Sequence, residues 1–270
     1  MCARKTKDPL SNNRDLILLE WPKRIENPSE VPSVFSDAVS GFLTDDWENA
    51  RLVIIPRQSL DRQSSLWLIA CQGERFLILC QDKGTVNAHS FRIEQIACLQ
   101  HSNELLRNAL TFTYRREAFE YTTVSVPYNR ATEELFLPFL YRAFGKPDDF
   151  DPTQNEQKHP RPHCLYQEYM ALYNYCLDGC LMGALTNDPI AFALQPTADH
   201  FWEVRRQGEG LVAAFEEGMF AILFYPCHQE VRLYYFPNDK ARMECLQEQP
   251  PTYAFYLKGE QKAHLMIRGK

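Results

Sequence analysis

The sequence predicts an α+β protein, mainly antiparallel β, made of two tandem barrel or sandwich domains with flanking helices. Three observations point there. Short apolar strands separated by turn residues run from residue 51 to 126 and again from residue 190 onward. A segment with helical periodicity precedes each run, at 34–43 and at 165–182. Between the runs, residues 146–163 (KPDDFDPTQNEQKHPRPH) hold four prolines and repeat at no core period, as a linker would. The expected layout is a first domain over 1–147, a linker over 148–163 and a second, related β-rich domain over 164–270.

The elements follow in order. Residues 1–15 are polar, and 16–21 (LILLEW) form a short strand candidate. Val34, Phe35, Ala38, Val39, Phe42 and Leu43 fall on one helical face, with Ser33 as the candidate N-cap. The period then changes. RLVIIP is an apolar run closed by Pro56, and LWLIAC and RFLILC flank a hairpin-length loop at Gln72-Gly73-Glu74. Asp82-Lys83-Gly84 is a second turn signal. In LTFTYRR the alternation of Leu110, Phe112 and Tyr114 with threonines suits a strand with one buried face, paired with AFEYTTVSV across Arg115–Glu117. Residues 129–145 read as a helix capped by Asn129, ended by Gly145 and kinked or restarted at Pro138. After the linker, Leu165, Tyr169, Leu172, Tyr173, Cys176 and Cys180 share a helical face, and eight strand-like pieces follow.

The two strand runs also correspond in sequence. Phe76, Ile78 and Leu79 align with Phe220, Ile222 and Leu223, Phe91 with Phe236, and Cys98-Leu99-Gln100 with Cys245-Leu246-Gln247. Downstream, Phe112 aligns with Phe255, Glu117 with Glu260 and Val124 with Ile267. The spacing is domain-sized, so it implies tandem domains and not a solenoid. Short apolar strands resemble one another, so a chance alignment stays open beside the repeat.

The meander from Leu66 to Val126, with its piece GERFLILCQDKGTVNAHSFRIEQIACLQ and a closing helix from Arg130 to Phe144, resembles the pleckstrin-homology-like fold of bacterial proteins. The second run is similar to it less completely. In phosphoinositide-binding members of that family, Lys and Arg cluster at an early strand loop, whereas Gln72-Gly73-Glu74 is not basic. The resemblance therefore implies protein binding or a structural role in place of lipid capture.

The totals narrow the function classes. With 45% hydrophobic, 24% charged and 13% aromatic residues, the composition is globular. A net charge of −6 argues against capture by nucleic acid or by an anionic membrane surface. Nine cysteines, several inside apolar runs and with no secretory signal before them, fit reduced thiols in a cytoplasmic protein. No run is long and apolar enough for a transmembrane helix.

Sites for chemistry are sparse. His159, His163, Cys164, Cys176 and Cys180 have zinc-ligand chemistry, but two prolines extend the His segment and both helical thiols lie on an apolar face. Cys227 beside His228 reads as an exposed hairpin tip. Asp45-Asp46, Asp148-Asp149 and Glu216-Glu217 read as solvated surface. Gly208-Glu209-Gly210 with Ala213 approaches a dinucleotide fingerprint but is better read as a hairpin turn. No cofactor is expected. The candidate binding residues are Tyr234, Phe236, Tyr253 and Phe255, which alternation places either on an exposed aromatic patch or on a covered sheet face. The expected function is non-enzymatic binding or scaffolding with a peptide or protein partner, self-association included. The alternative is a hydrolase or transferase whose Cys or His the sequence does not locate.

Overall fold

A computed structural model describes residues 21–43, 47–57, 65–104, 107–117, 120–146, 190–193, 209–214, 218–225 and 230–269. Among these the fold is mainly antiparallel β, in sheets of five, seven and three strands, with few helices. The chain divides into two compact units, residues 1–90 with 132–136 and residues 91–131 with 137–270.

In the first unit, β1 (Lys23–Arg24), β2 (Ala50–Ile55), β3 (Leu66–Gln72), β4 (Arg75–Asp82) and β5 (Thr85–Arg92) form one sheet in sequence order; β5 ends two residues into the second unit. Gln72 stands opposite Arg75, so the Gly73-Glu74 turn is where the sequence places it. Lys83 and Gly84 both have positive φ (46° and 87°), the conformation a two-residue hairpin turn needs to match strand twist. Residues 33–43 form one 3₁₀ turn over Ser33–Phe35, then helix α1 (Ser36–Phe42). Ser33 makes no cap, and Val34 is exposed instead of joining the apolar face. Phe35, Val39 and Phe42 pack on Leu52, Ile54, Leu68, Ala70, Leu77 and Leu79, which share one face of the sheet. The Arg75 guanidinium lies over the Phe42 ring, 4.7 Å from its centroid. Val53, Ile69, Phe76 and Ile78, on the opposite face, are buried too, which accounts for the continuous apolar runs of β2 to β4.

In the second unit, β6 (Ile96–Glu104), β7 (Arg107–Glu117) and β8 (Glu120–Asn129) form a meander. Strand β7 runs through Arg115–Glu117 and turns later, with Glu117 opposite Glu120, because a bulge after Arg115 continues the pairing. Pro127, on the terminal strand β8, sits where the loss of a donor is tolerated. Asn129 Oδ1 accepts a hydrogen bond from the Ala131 N–H at 2.9 Å, as expected of a cap. Helix α2 (Leu137–Ala143) restarts at Pro138, and Gly145, at φ 75°, ends it by donating its N–H to the Arg142 carbonyl. Then come β9 (Ile190–Ala193), β10 (Glu209–Ala214), β11 (Gly218–Tyr225), β12 (Glu230–Pro237), β13 (Ala241–Glu248), β14 (Pro251–Leu257) and β15 (Leu265–Arg268). The stretch after Gly208 is therefore a strand, not the helix a dinucleotide fingerprint opens.

The large sheet has the order β8-β7-β6-β12-β11-β10-β9. Strands from both sides of residues 148–163 thus share one sheet, where the sequence predicts two separate meanders. Leu99 stands opposite Tyr235 and Glu104 opposite Glu230. The boundary of the compact units lies at residues 90 and 91, not in 148–163, which are outside the described residues. Alternation tells which face of a strand is buried; it carries no information on which edge meets which.

With the two-residue β1 set aside, the described strands fall into runs of similar number. A four-stranded meander (β2–β5) is followed by a three-stranded one (β6–β8), then four (β9–β12) and three again (β13–β15). The Cys-Leu-Gln match is not part of this correspondence. Hairpin geometry sets Glu248 144 residues after Glu104 and Pro251 144 residues after Arg107, while the two tripeptides lie 147 apart. Accordingly Cys98 is buried and Cys245 exposed.

Gly218 stands opposite Pro237, and a Cβ there would run into the Phe236 carbonyl oxygen and lie 2.6 Å from Tyr235 Cε2. Gly218→Ala should therefore cost roughly 2 kcal/mol by overpacking, read as a lower denaturation midpoint at unchanged m-value.

Candidate functional site

One face of the seven-stranded sheet and the three-stranded sheet close over a shared core. Cys98, Val212, Ala221, Leu223, Tyr234 and Phe236 come from the first; Tyr253, Phe255, Leu257 and Ile267 come from the second. The four aromatic residues singled out in the sequence are all here. Tyr234, Phe236, Tyr253 and Phe255 are 8%, 0%, 7% and 0% exposed, so they form no exposed patch. Phe236 and Phe255 stack with centroids 4.8 Å apart. Burial pushes the Tyr234 phenol up to about 12. The aromatic alternation marks the inner side of two facing sheets, and it reads the same from sequence whether the opposite layer is water or another sheet.

The other face of the large sheet carries a polar pair the sequence reading missed. His101, on β6, stands between Leu233 of β12 and Leu110 of β7. Its Nε2 shares a 2.7 Å hydrogen bond with the Tyr128 hydroxyl of β8, and both side chains are buried. Burial among apolar neighbours lowers the imidazole to about 4, so it is neutral near pH 7. The signal was present in Leu99-x-His101-x-Asn103, where two polar residues occupy inward positions. On β6, Asn103 Oδ1 is buried with no hydrogen-bond partner among the described residues. At the far end of the β6–β12 pair, Glu230 accepts from Arg232 through both carboxylate oxygens, and the guanidinium lies over Tyr225 at 5.4 Å. On the His101 face of the sheet, Phe144 packs edge-on to Phe220 and Tyr235, 6.0 and 4.7 Å between centroids.

Thiol and metal chemistry finds little support among the described residues. Cys71, Cys80 and Cys98 are buried. Burial pushes the Cys80 and Cys98 thiols up, away from the thiolate a nucleophile needs. No three His, Cys, Asp or Glu side chains gather as metal ligands among the described residues. The zinc candidates (His159, His163, Cys164, Cys176 and Cys180), the Cys227-His228 pair and all three carboxylate pairs lie outside them.

Among the described residues, one sheet edge combines open backbone with an exposed apolar side chain. Strand β13 is terminal in its sheet among the described residues, pairing only with β14. Met243 packs inward on the core, while Arg242 and Glu244 form an ion pair at 2.8 Å on the outer side. Its last four residues, Cys245 to Glu248, are exposed. Among them Leu246, bulged out of register between Cys245 and Gln247, is 49% exposed. Such an edge displays unpaired backbone donors and acceptors beside an apolar side chain.

Two outcomes test this layout. Phe255→Ala should cost about 3–5 kcal/mol, and its effect should not add to that of Phe236→Ala because the rings touch. The folded His101 has its proton affinity depressed below the unfolded value near 6.5. Its contribution to stability is complete above about pH 6.5 and is lost as pH falls toward 4, by roughly 3 kcal/mol in all. Urea titrations between pH 4 and 7 should show this slope in the native chain and lose up to one proton of it in His101→Gln. Comparison of the chain with family models, curated proteins and solved structures finds no match.

Proposed function

We propose that this chain is a non-enzymatic binding or scaffolding protein that takes an extended protein segment along the edge of β13. The observation that carries the reading is the terminal position of Ala241–Glu248 in a sheet whose inner face is packed and whose outer edge is exposed. An added strand would hydrogen-bond that backbone, and Leu246 would give it an apolar contact. The run of four strands, then three, then α2 supports a pleckstrin-homology-like first copy, and the second four-then-three run supports a second. The free thiols Cys80, Cys98 and Cys245 fit a reducing, cytoplasmic setting. Burial weighs against Cys80 and Cys98 as the nucleophile of the hydrolase or transferase alternative.

A library of extended peptides displayed against the chain should yield binders whose amide shifts map to Ala241–Glu248. Leu246→Lys, a surface change, should weaken them roughly tenfold by placing a charge on the edge. Shifts centred on His101 and α2, or no peptide binder at all, would overturn the reading.

A further inference from the structure

We propose that the segment paired with β13 is strand β5 of a second copy of this chain. The inference rests on the reading that the β13 edge takes an extended segment, and it names the partner.

The chain already contains one pairing of this kind. Strand β12 closes the second four-stranded run, β6 opens the first three-stranded run, and the two pair antiparallel over six residues on each side. The strands in the corresponding places are β5, which closes the first four-stranded run, and β13, which opens the second three-stranded run. Both end their sheets among the described residues. Each has the build of its counterpart: β5 and β12 are eight residues each, and the β6–β7 and β13–β14 hairpins both leave two residues between Glu104 and Arg107 or Glu248 and Pro251. A surface that pairs once inside the chain thus has a second counterpart, each half of which ends its sheet among the described residues.

Strand β5 suits the role. Natural edge strands are blunted by charges or proline. Thr85–Ser90 (TVNAHS) has no Lys, Arg, Asp, Glu or Pro, and four of the six residues are exposed. Nor does β13 set like charge against it.

The internal pair also supplies a register. Setting β5 on β12 end to end and β13 on β6 by their hairpins puts Thr85 opposite Glu248, Ala88 opposite Cys245 and Ser90 opposite Met243. In β6 the bulge lies between Ile96 and Cys98, outside the residues paired with β12; in β13 it falls at Leu246. The firmest contact is therefore Ala88–Ser90 against Met243–Cys245. The partners use different strands, so each copy can offer one to a neighbour while receiving another, giving a reciprocal dimer or a longer chain.

The test uses the full chain. Sedimentation should show a mass of 31.5 kDa when dilute and at least twice that on concentration, with Leu246→Lys shifting the transition to roughly tenfold higher concentration. Ala88 and Glu74 are both exposed. Under diamide, which takes up the two electrons and two protons of disulfide formation, Ala88→Cys should give a covalent dimer. The bond should be lost in Ala88→Cys combined with Cys245→Ser and should not form from Glu74→Cys. A chain that stays monomeric at all concentrations, or an Ala88→Cys dimer that survives Cys245→Ser, overturns the proposal. Should peptides still bind the β13 edge in that case, the partner assignment fails and the binding reading stands; should they not, both fail.

Discussion

The antiparallel pairing of Leu99–Glu104 with Glu230–Tyr235 is the contact on which the larger unit depends. It satisfies the backbone groups of two strand edges at once, and it does so between segments far apart in sequence. Without it, β6–β8 and β9–β12 would be separate small meanders, each with an edge to cover and one face too small to make a core. With it, seven strands present two broad faces. One takes the three-stranded sheet through Phe236 on Phe255, and the other takes Phe144 on Phe220 and Tyr235. Loop-closure entropy for so distant a pairing must be met by what it organises, namely the two packed faces.

The same contact explains the placing of the polar residues. His101 and Asn103 lie on β6, at the seam, with β12 on one side and β7 on the other. A sheet edge could have kept these side chains wet. Once β12 docks, they are enclosed, and the Tyr128 hydroxyl becomes the partner of the imidazole. The Glu230–Arg232 pair closes the far end of the seam, where Glu230 faces Glu104 across the strands and the guanidinium holds the Glu230 carboxylate. These groups therefore report on assembly of the seam. Their cost, a buried imidazole and an unsatisfied amide oxygen, is one that an apolar seam would avoid. What they add is a register that a row of leucines would leave free to slip.

Much of the local structure was legible. The turns at Gly73 and Gly84, the restart at Pro138, the cap at Asn129 and the end at Gly145 each follow from one residue's backbone chemistry, and each is where the sequence puts it. The seven strands of the first run were legible from short apolar runs, alternation and turn residues, to within the few residues by which the β7–β8 turn moved. Pairing across residues 148–163 was not, because hydrogen-bonding edges have no side-chain signature. The aromatic residues show the same gap from another side. Tyr234, Phe236, Tyr253 and Phe255 alternate as any half-buried strand does, and only the position of a second sheet decides between core and surface. The Cys-Leu-Gln repeat misled for a simpler reason: three letters can recur without sharing a register, and the hairpin turns, being geometric, set the true correspondence.

The order of the strand runs carries a consequence of its own. When a three-stranded run pairs by its first strand with the last strand of a later four-stranded run, the contact joins unlike edges, and such contacts do not close after two members unless the rotation happens to close them. Among the terminal strands of the described residues, β5 and β13 are the two that correspond in place to the internal pair. Charges and bulges are the usual means of blunting an edge: β13 carries Arg242, Glu244, Glu248 and a bulge, whereas β5 carries neither charge nor proline along Thr85–Ser90. The bulge at Leu246 bends β13 but leaves Met243–Cys245 regular. One edge is thus blunted by charge and a bulge while the other is open, so pairing between them would be weak and reversible.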